Sequence, residues 1–280
     1  MSLSNAGLVT RFAPSPTGLL HRGHAYSALL AADIAAETGG RFLLRIEDID
    51  THRCRTEFAD AIFADLAWLG LTWETRVVFQ STRATAYTRA LDWLKERGLL
   101  YRCFRTRAEV LNEIGRAPHG PQAPFFGRAL GSDEEARQLN EGTPFAWRLS
   151  IAAAERAVGG FDRLKFQDRT LGEIVADPWR AGDVVLARKD LGVAYHLAVT
   201  VDDADAEVNL VVRGEDLLEA CHVQRLLQAL LDLPTPRYHH HRLILRPDGK
   251  RFAKRDTAET LSALREAGVS PAWLRQELGL

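Results

Sequence analysis

Residues 11–24, RFAPSPTGLLHRGH, crowd two prolines, two glycines and two histidines ahead of an apolar run. Backbone N–H groups at a helix start favour an anion. His21 and His24, three apart, add donors for the oxygens of a phosphoryl group in transfer. Gly23 between them lets a flat ring or a phosphate approach the backbone closely. Taken alone, the same pair also fits surface or capping histidines. Far downstream, KRFAKR (residues 250–255) puts four cations in six residues behind a Pro247-Asp248-Gly249 turn. Charge that closes on a departing pyrophosphate and then opens is what triphosphate chemistry requires, although an isolated basic loop is as readily just solvated. Arg213, in VVRGEDL, and Arg11 stand at strand-like ends, where two guanidinium forks can clamp a dicarboxylate or an amino-acid carboxylate. Glu47, also at a strand-like end, suits an ammonium group or, more plainly, a cap or salt bridge, and Tyr195 lies in the segment before Arg213. Of the consecutive His239, His240 and His241, neighbours on a strand face opposite ways, so one, His240, is expected in a nucleotide site and the others at the surface.

Such groups need a frame that delivers several strand ends to one edge. Residues 8–13 read as a strand running into the Pro14–Gly18 turn, and 24–38 as an Ala/Leu-rich helix stopped by Gly39-Gly40. Residues 41–47 form a second strand, and 57–69 a helix with Phe58, Ile62, Leu66 and Leu69 on one stripe. A helix at 82–97, ended by Gly98, and a strand at 99–103 follow. Strands alternating with helices at this spacing argue a parallel sheet with crossover helices, which receives ligands beyond the carboxyl ends of its strands. Between about 106 and 182 the order loosens, with strand-like pieces near 145–151 and 184–188, as in an insertion. Strands at 194–201 and 208–213 and a helix at 215–231 resume the alternation. Pro234 and Pro236 mark a boundary, and two short helices close the chain, the last opened by Ser270-Pro271 as cap and first position.

The 280 residues are 46% hydrophobic and 26% charged with a formal net charge of −1, which excludes a uniformly basic nucleic-acid coat. A local patch remains open: residues 76–128 carry ten Lys/Arg against four Asp/Glu, whereas residues 1–75 carry six against nine. No apolar run approaches the ~20 residues needed to span a bilayer. The scattered Cys54, Cys103 and Cys221 fit a reducing cytoplasm and give no disulfide framework.

In order along the chain, RFAPSPTG, HRGH, RIEDID, VDD, VVRGEDLL and KRFAKRD resemble the class I glutamyl- and glutaminyl-type aminoacyl-tRNA synthetases over essentially the whole length. HRGH stands where that family has HIGH, and RFAKR where it has KMSKS. The resemblance implies an α/β fold: a Rossmann-like parallel sheet with an inserted α+β subdomain and a short helical C-terminal segment. Its divisions would be 1–103 and 184–235 for the two halves of the catalytic domain, 104–183 for the insertion, and 236–280 for the basic loop and terminal helices. It implies that Arg11, Phe12, Ala13, Pro14, Ser15, Glu47, Tyr195 and Arg213 contact glutamate. His21, Gly23, His24, Arg251 and Lys254 would meet ATP with its Mg2+, and His21, His24 and Lys254 would carry the catalysis. Arg251 and Ala253 depart from the basic loop's usual lysine and serine. The family's frequent zinc site looks broken, because Arg105 replaces the second cysteine after Cys103, and zinc is expected to be absent. Only 25 residues follow Arg255, too few for a further domain with its own core. Modules that stop there resemble the branch that activates glutamate without tRNA and attaches it to the queuosine base of tRNA(Asp). The expectation is therefore a cytoplasmic monomer with glutamate, ATP and queuosine-bearing tRNA(Asp) as partners and no membrane. The alternatives are a truncated or paralogous enzyme charging a tRNA 3′ end and a non-catalytic tRNA- or amino-acid-binding relative.

Overall fold

A computed structural model describes residues 7–106, 108–110, 124–188, 192–246, 249 and 260–280. Strand β1 (Val9–Phe12) leads through helix α1 (Arg22–Glu37) to β2 (Arg41–Ile46), which lies parallel to it with Arg11 opposite Leu43. Gly40 makes this return possible: a Cβ there would sit 2.0 Å from the Leu8 carbonyl oxygen, so only glycine lets the end of α1 pass against the start of β1. Helix α2 (Thr56–Trp68) crosses to β3 (Val78–Phe79), parallel to β2. A 3-10 turn at 80–83 and α3 (Ala84–Glu96) then lead to β4 (Leu100–Cys103).

The second half of the sheet starts at β10 (Leu210–Gly214), followed by α7 (Leu218–Leu230) and β11 (Arg237–His241), parallel to β10. Asn209 joins the halves, its backbone N–H donating to the Val9 carbonyl (3.2 Å) and its side-chain oxygen accepting from the Val9 N–H (2.9 Å). The resulting parallel order is β3-β2-β1-β10-β11. From β1 and β10 the chain moves outward in opposite directions, so their carboxyl ends border the crevice where such sheets bind ligands. Alternate strand residues feed two cores. Leu210 and Val212 join α1 and α2 on one face, while Val211 and Tyr238 join α3 and α7 on the other.

Between these halves, β4 pairs antiparallel with β5 (Ala146–Leu149), which pairs with β8 (Val185–Arg188) and through it with β9 (Gly192–Val193). Helices α4 (Ser132–Asn140) and α5 (Ile151–Val158) flank this sheet in sequence. The Asp183 carboxylate ties it together by accepting from Tyr101 Oη (2.8 Å), Gly127 N–H (2.9 Å) and Ile151 N–H (2.9 Å). A hairpin of β6 (Lys165–Asp168) and β7 (Gly172–Val175) extends the central sheet, with Asp168 opposite Tyr238 of β11.

One expected strand is a helix. Of residues 194–201, Ala194 precedes α6 (Tyr195–Asp205) and the rest belong to it, and residues 197–203 are all buried. A helix covered on every side shows no polar stripe, so Val199, Thr200 and Val201 read as a buried strand. Helices α8 (Leu261–Glu266) and α9 (Pro271–Leu278) close the chain, the latter capped by Ser270 Oγ on Trp273 N–H at 3.2 Å, as expected. Among the described residues no helix is long and apolar enough to cross a membrane.

Candidate active site

A cavity of about 380 Å³ opens at the crevice between β1 and β10. Arg11 to Ser15, His21, Gly23, His24, Glu47, Tyr195 and Arg213 all line it, although they are spread over 203 positions of sequence. Arg251 and Lys254 lie outside the described residues, as does Ala253.

At the start of α1 the two histidines cap the helix and line the cavity at once. His21 Nδ1 accepts from the Gly23 N–H (3.2 Å), and His24 Nδ1 accepts from the His21 N–H (3.1 Å). This is a reciprocal capping box with imidazoles in place of the usual hydroxyl and carboxamide. Because both Nδ1 atoms accept, both neutral rings carry their proton on Nε2, which makes Nε2–H the donor each can offer a ligand. The ring centroids are 3.8 Å apart, and a Cβ on Gly23 would press to 3.1 Å from the His21 ring. Capping and anion binding, separate readings of the sequence, are thus one arrangement: the cap aims the donors.

Arg213 is 5% exposed and firmly held. Its Nε donates to His240 Nε2 (3.2 Å), Nη2 to Gln224 Oε1 (2.9 Å) and Cys221 Sγ (2.7 Å), and Nη1 to Tyr195 Oη (3.5 Å). Tyr195 opens α6, and burial pushes its phenol pKa up, keeping the hydroxyl a donor. Arg11 reaches the same cavity with its fork on Asp203 (Nε to Oδ1 3.0 Å, Nη2 to Oδ2 3.4 Å) and Nη1 on the Val212 carbonyl (3.4 Å). Glu47 Oε1 accepts from Arg45 Nη2 at 3.1 Å. Burial pushes the Glu47 carboxyl up, against the opposing pull of Arg45 and Arg11. The cavity therefore combines guanidinium and phenol donors, a carboxylate poorly compensated for its charge, and a helix N-terminus. That set suits a zwitterion beside a phosphate.

The two aspartates of VDD, Asp202 and Asp203, are residues to which the motif by itself gives no task. Asp203 also takes Arg45 Nη1 at 2.6 Å, so one carboxylate fixes two buried arginines. Burial by itself would raise the Asp203 carboxyl, but Arg11 and Arg45 outweigh it and hold it at about 2. Asp202 serves the other side of α6, accepting from Arg83 Nε (2.5 Å), Tyr87 Oη (2.8 Å) and Gln80 Nε2 (2.8 Å). Two acids in a row at the end of an otherwise apolar run are the available signal, since such groups persist in a core only when paired.

The histidine expectation needs correcting. His241, not His240, lines the cavity, with its ring nitrogens on Ser27 Oγ (2.7 Å) and the Arg242 carbonyl (2.8 Å). His240 is buried behind Arg213, because strand alternation sends it to the opposite face of β11. Neither is at the surface. Cys103 is buried with Tyr101, Val110 and Phe125, and the Arg105 guanidinium lies 5.9 Å from the Phe125 ring. Among the described residues no group of three or more His, Cys, Asp or Glu is placed to hold a metal. Of the basic stretch 76–128, Arg83, Lys95 and Arg102 pair with acids, and Arg107 and Arg116 lie outside the described residues.

Comparison with known proteins shows which family the chain resembles. Residues 7–280 match the family described as tRNA synthetases class I (E and Q), catalytic domain. The chain is 45% identical to the glutamyl-Q tRNA(Asp) synthetase of Rhodobacter capsulatus, over 98% of this chain and 100% of that one. It is 43% identical to the protein of the same name from Nocardia farcinica, over 96% of this chain and 84% of that one. Glutamate–tRNA ligase 2 of Dinoroseobacter shibae is 37% identical over 94% of this chain, which spans 58% of that relative. Among solved structures, a glutamate tRNA ligase from Elizabethkingia meningosepticum in complex with its amino acid superposes with a TM-score of 0.74 at 28% identity. That match covers 89% of this chain and 52% of the ligase.

Proposed function

The chain belongs to the catalytic-domain family of class I tRNA synthetases for glutamate and glutamine, and from that premise we propose a two-step ligase that activates glutamate with ATP and passes it to the queuosine base of tRNA(Asp). In the first step the glutamate carboxylate, ionised at neutral pH and needing no base, attacks the ATP α-phosphorus in line. A carboxylate–phosphorus bond forms as the bond to pyrophosphate breaks. The protein contributes position and charge. His21 and His24 donate through Nε2–H to phosphate oxygens, Arg213 and Tyr195 hold the side-chain carboxylate, Glu47 receives the ammonium, and Lys254 with Arg251 meets the polyphosphate of the Mg2+–ATP substrate. In the second step a hydroxyl of the queuosine cis-diol takes the glutamyl group and AMP leaves. The observation that carries this reading is the cavity on which residues 11–15, 21, 23, 24, 47, 195 and 213 converge. The choice of acceptor draws its support from relatives of that name aligned over most or all of their length. The parallel sheet with its β6–β7 hairpin then acts as the catalytic core, so residues 165–175 join the expected halves 1–103 and 184–235. The antiparallel sheet of β4, β5, β8 and β9 acts as the RNA-facing insertion in place of a strict 104–183 block, and 236–280 supply the basic loop and terminal helices. The enzyme works as a cytoplasmic monomer, and zinc has no part in it.

Two assays test it. Glutamate-dependent ATP–pyrophosphate exchange is expected in the absence of any tRNA. Labelled glutamate is then offered with tRNA from normal cells, with queuosine-free tRNA, and with tRNA stripped of its 3′ CCA. Label on queuosine-bearing tRNA(Asp) that survives removal of CCA is the expected result. Label that persists on queuosine-free tRNA and vanishes with CCA would make the protein a 3′-charging enzyme.

The Glu47 role gives a pH dependence of defined sign. Its carboxyl is raised, so acidification protonates it within the folded protein and removes the ammonium contact. The same protonation relieves a buried charge, so this group does not weaken the fold as pH falls. The KM for glutamate in pyrophosphate exchange is expected to rise as pH falls, and Glu47→Gln to raise it at every pH and flatten the profile. A parent KM that does not change with pH, with a Gln variant that matches it, removes Glu47 from the site.

A further inference from the structure

Arg213 faces the cavity, but what aims it lies behind. Its Nε–H points at His240 Nε2, 3.2 Å away, and can donate only if that nitrogen carries no proton. The other ring nitrogen decides this. His240 Nδ1 is 2.8 Å from Oδ2 of Asp168, whose ionised carboxylate can only accept, so the proton sits on Nδ1 and Nε2 stays open. Burial alone would raise the Asp168 carboxyl. Oδ1 accepts the N–H groups of Thr170 (2.8 Å) and Leu171 (2.9 Å), and Oδ2 also accepts the His240 N–H (3.1 Å). These donors keep the acid below the usual carboxylate range. The His240 and Asp168 side chains are 1% and 0% exposed, which leaves no room for water to substitute for either. His240 stacks on Tyr238 at 5.7 Å and 10°, and the Arg213 guanidinium lies 5.4 Å from the centre of the same ring.

We propose that Asp168 and His240 are positioning residues for amino-acid recognition: through one imidazole tautomer, a carboxylate on the β6–β7 hairpin sets the direction of the Arg213 guanidinium, which lies beyond its own reach. Neither residue lines the cavity. The consequence for glutamate rests on the Arg213 role proposed above, whereas the tautomer relay does not.

Asp168→Asn is close to isosteric and separates the two. An amide offers one oxygen where the carboxylate offers two, and two backbone N–H groups, of Thr170 and Leu171, claim it against the single, longer one of His240. The amide NH2 then faces His240, Nδ1 must accept, and the proton moves to Nε2 against the Arg213 Nε–H. Nitrogen-15 spectra of the histidine rings are expected to show His240 as Nδ1–H in the parent and Nε2–H in Asp168→Asn. The KM for glutamate in pyrophosphate exchange is expected to rise about 10- to 100-fold with the KM for ATP within about twofold. His240 is tested with the hairpin acid intact. Gln at 240 can accept from Arg213 and donate to Asp168, so His240→Gln is expected to keep a glutamate KM nearer the parent than His240→Phe, which fills the ring volume without polar atoms. This pair decides the matter if the Asn variant does not fold. An unchanged Nδ1–H tautomer in Asp168→Asn, or equal glutamate KM values for the Gln and Phe variants, overturns the relay. A parent protein with no glutamate-dependent exchange overturns the proposed reaction instead, and the spectra still judge the relay.

Discussion

Arg213→Ala is expected to depress glutamate-dependent pyrophosphate exchange by about 30- to 5,000-fold, the range that corresponds to about 2–5 kcal/mol for one arm of a buried charge-assisted contact. The size follows from burial. At 5% exposure the guanidinium has already exchanged water for His240, Gln224, Cys221 and Tyr195. It therefore meets a carboxylate without reorganising, and nothing nearby replaces it: Arg11 is committed to Asp203 and the Val212 carbonyl. The loss is expected to fall mainly on the KM for glutamate, because the proposed phosphate contacts lie at the start of α1. Circular dichroism and thermal melting check that the variant is folded. A folded Arg213→Ala protein exchanging at the parent rate takes the residue out of recognition.

Asp203→Ala is expected to be the most destabilising single change around the site. It leaves Arg11 and Arg45 buried with their shared counter-ion gone, at original distances of 3.0 and 2.6 Å. Arg45 keeps Glu47 and a 3.8 Å approach to Asp202, whereas Arg11 keeps only the Val212 carbonyl among the described residues. Breaking a buried pair from one side costs about 3–5 kcal/mol, which lowers Tm by about 5–9 °C in a protein of this size. The acid limb of stability gives an independent check. Asp203 titrates at about 2 against an ordinary 3.8, so its contribution is complete above about pH 4 and is lost as pH falls toward 2. Removing it should flatten that part of the stability profile. A Tm within about 2 °C of the parent would mean that the two arginines find other partners.

Local signals were enough for most of the frame. Gly39-Gly40 ends α1, Gly98 follows α3, and Ser270-Pro271 opens α9, because helix stops and caps depend on residues within one turn of each other. HRGH could be put at a helix start for the same reason, and the strand ends bearing Arg11, Glu47 and Arg213 followed from the alternation of elements. Buried segments were harder to read. Residues 197–203 are all buried, so the helical period does not show there and Tyr195 reads as part of a strand although it begins a helix.

By itself, the sequence determined which residues could do chemistry and that parallel strands would present several of them at one edge. Their motifs and spacing are local properties of the chain. Which groups hold those residues in place was decided only in the tertiary structure. Asp203 lies 192 and 158 positions from Arg11 and Arg45, Asp168 lies 72 from His240, and His241 rather than His240 reached the cavity. Those partnerships depend on β10 lying beside β1 and on the β6–β7 hairpin docking against β11. A buried charge takes whichever counter-ion the packing of distant elements brings within about 3 Å, and no spacing along the chain encodes that choice.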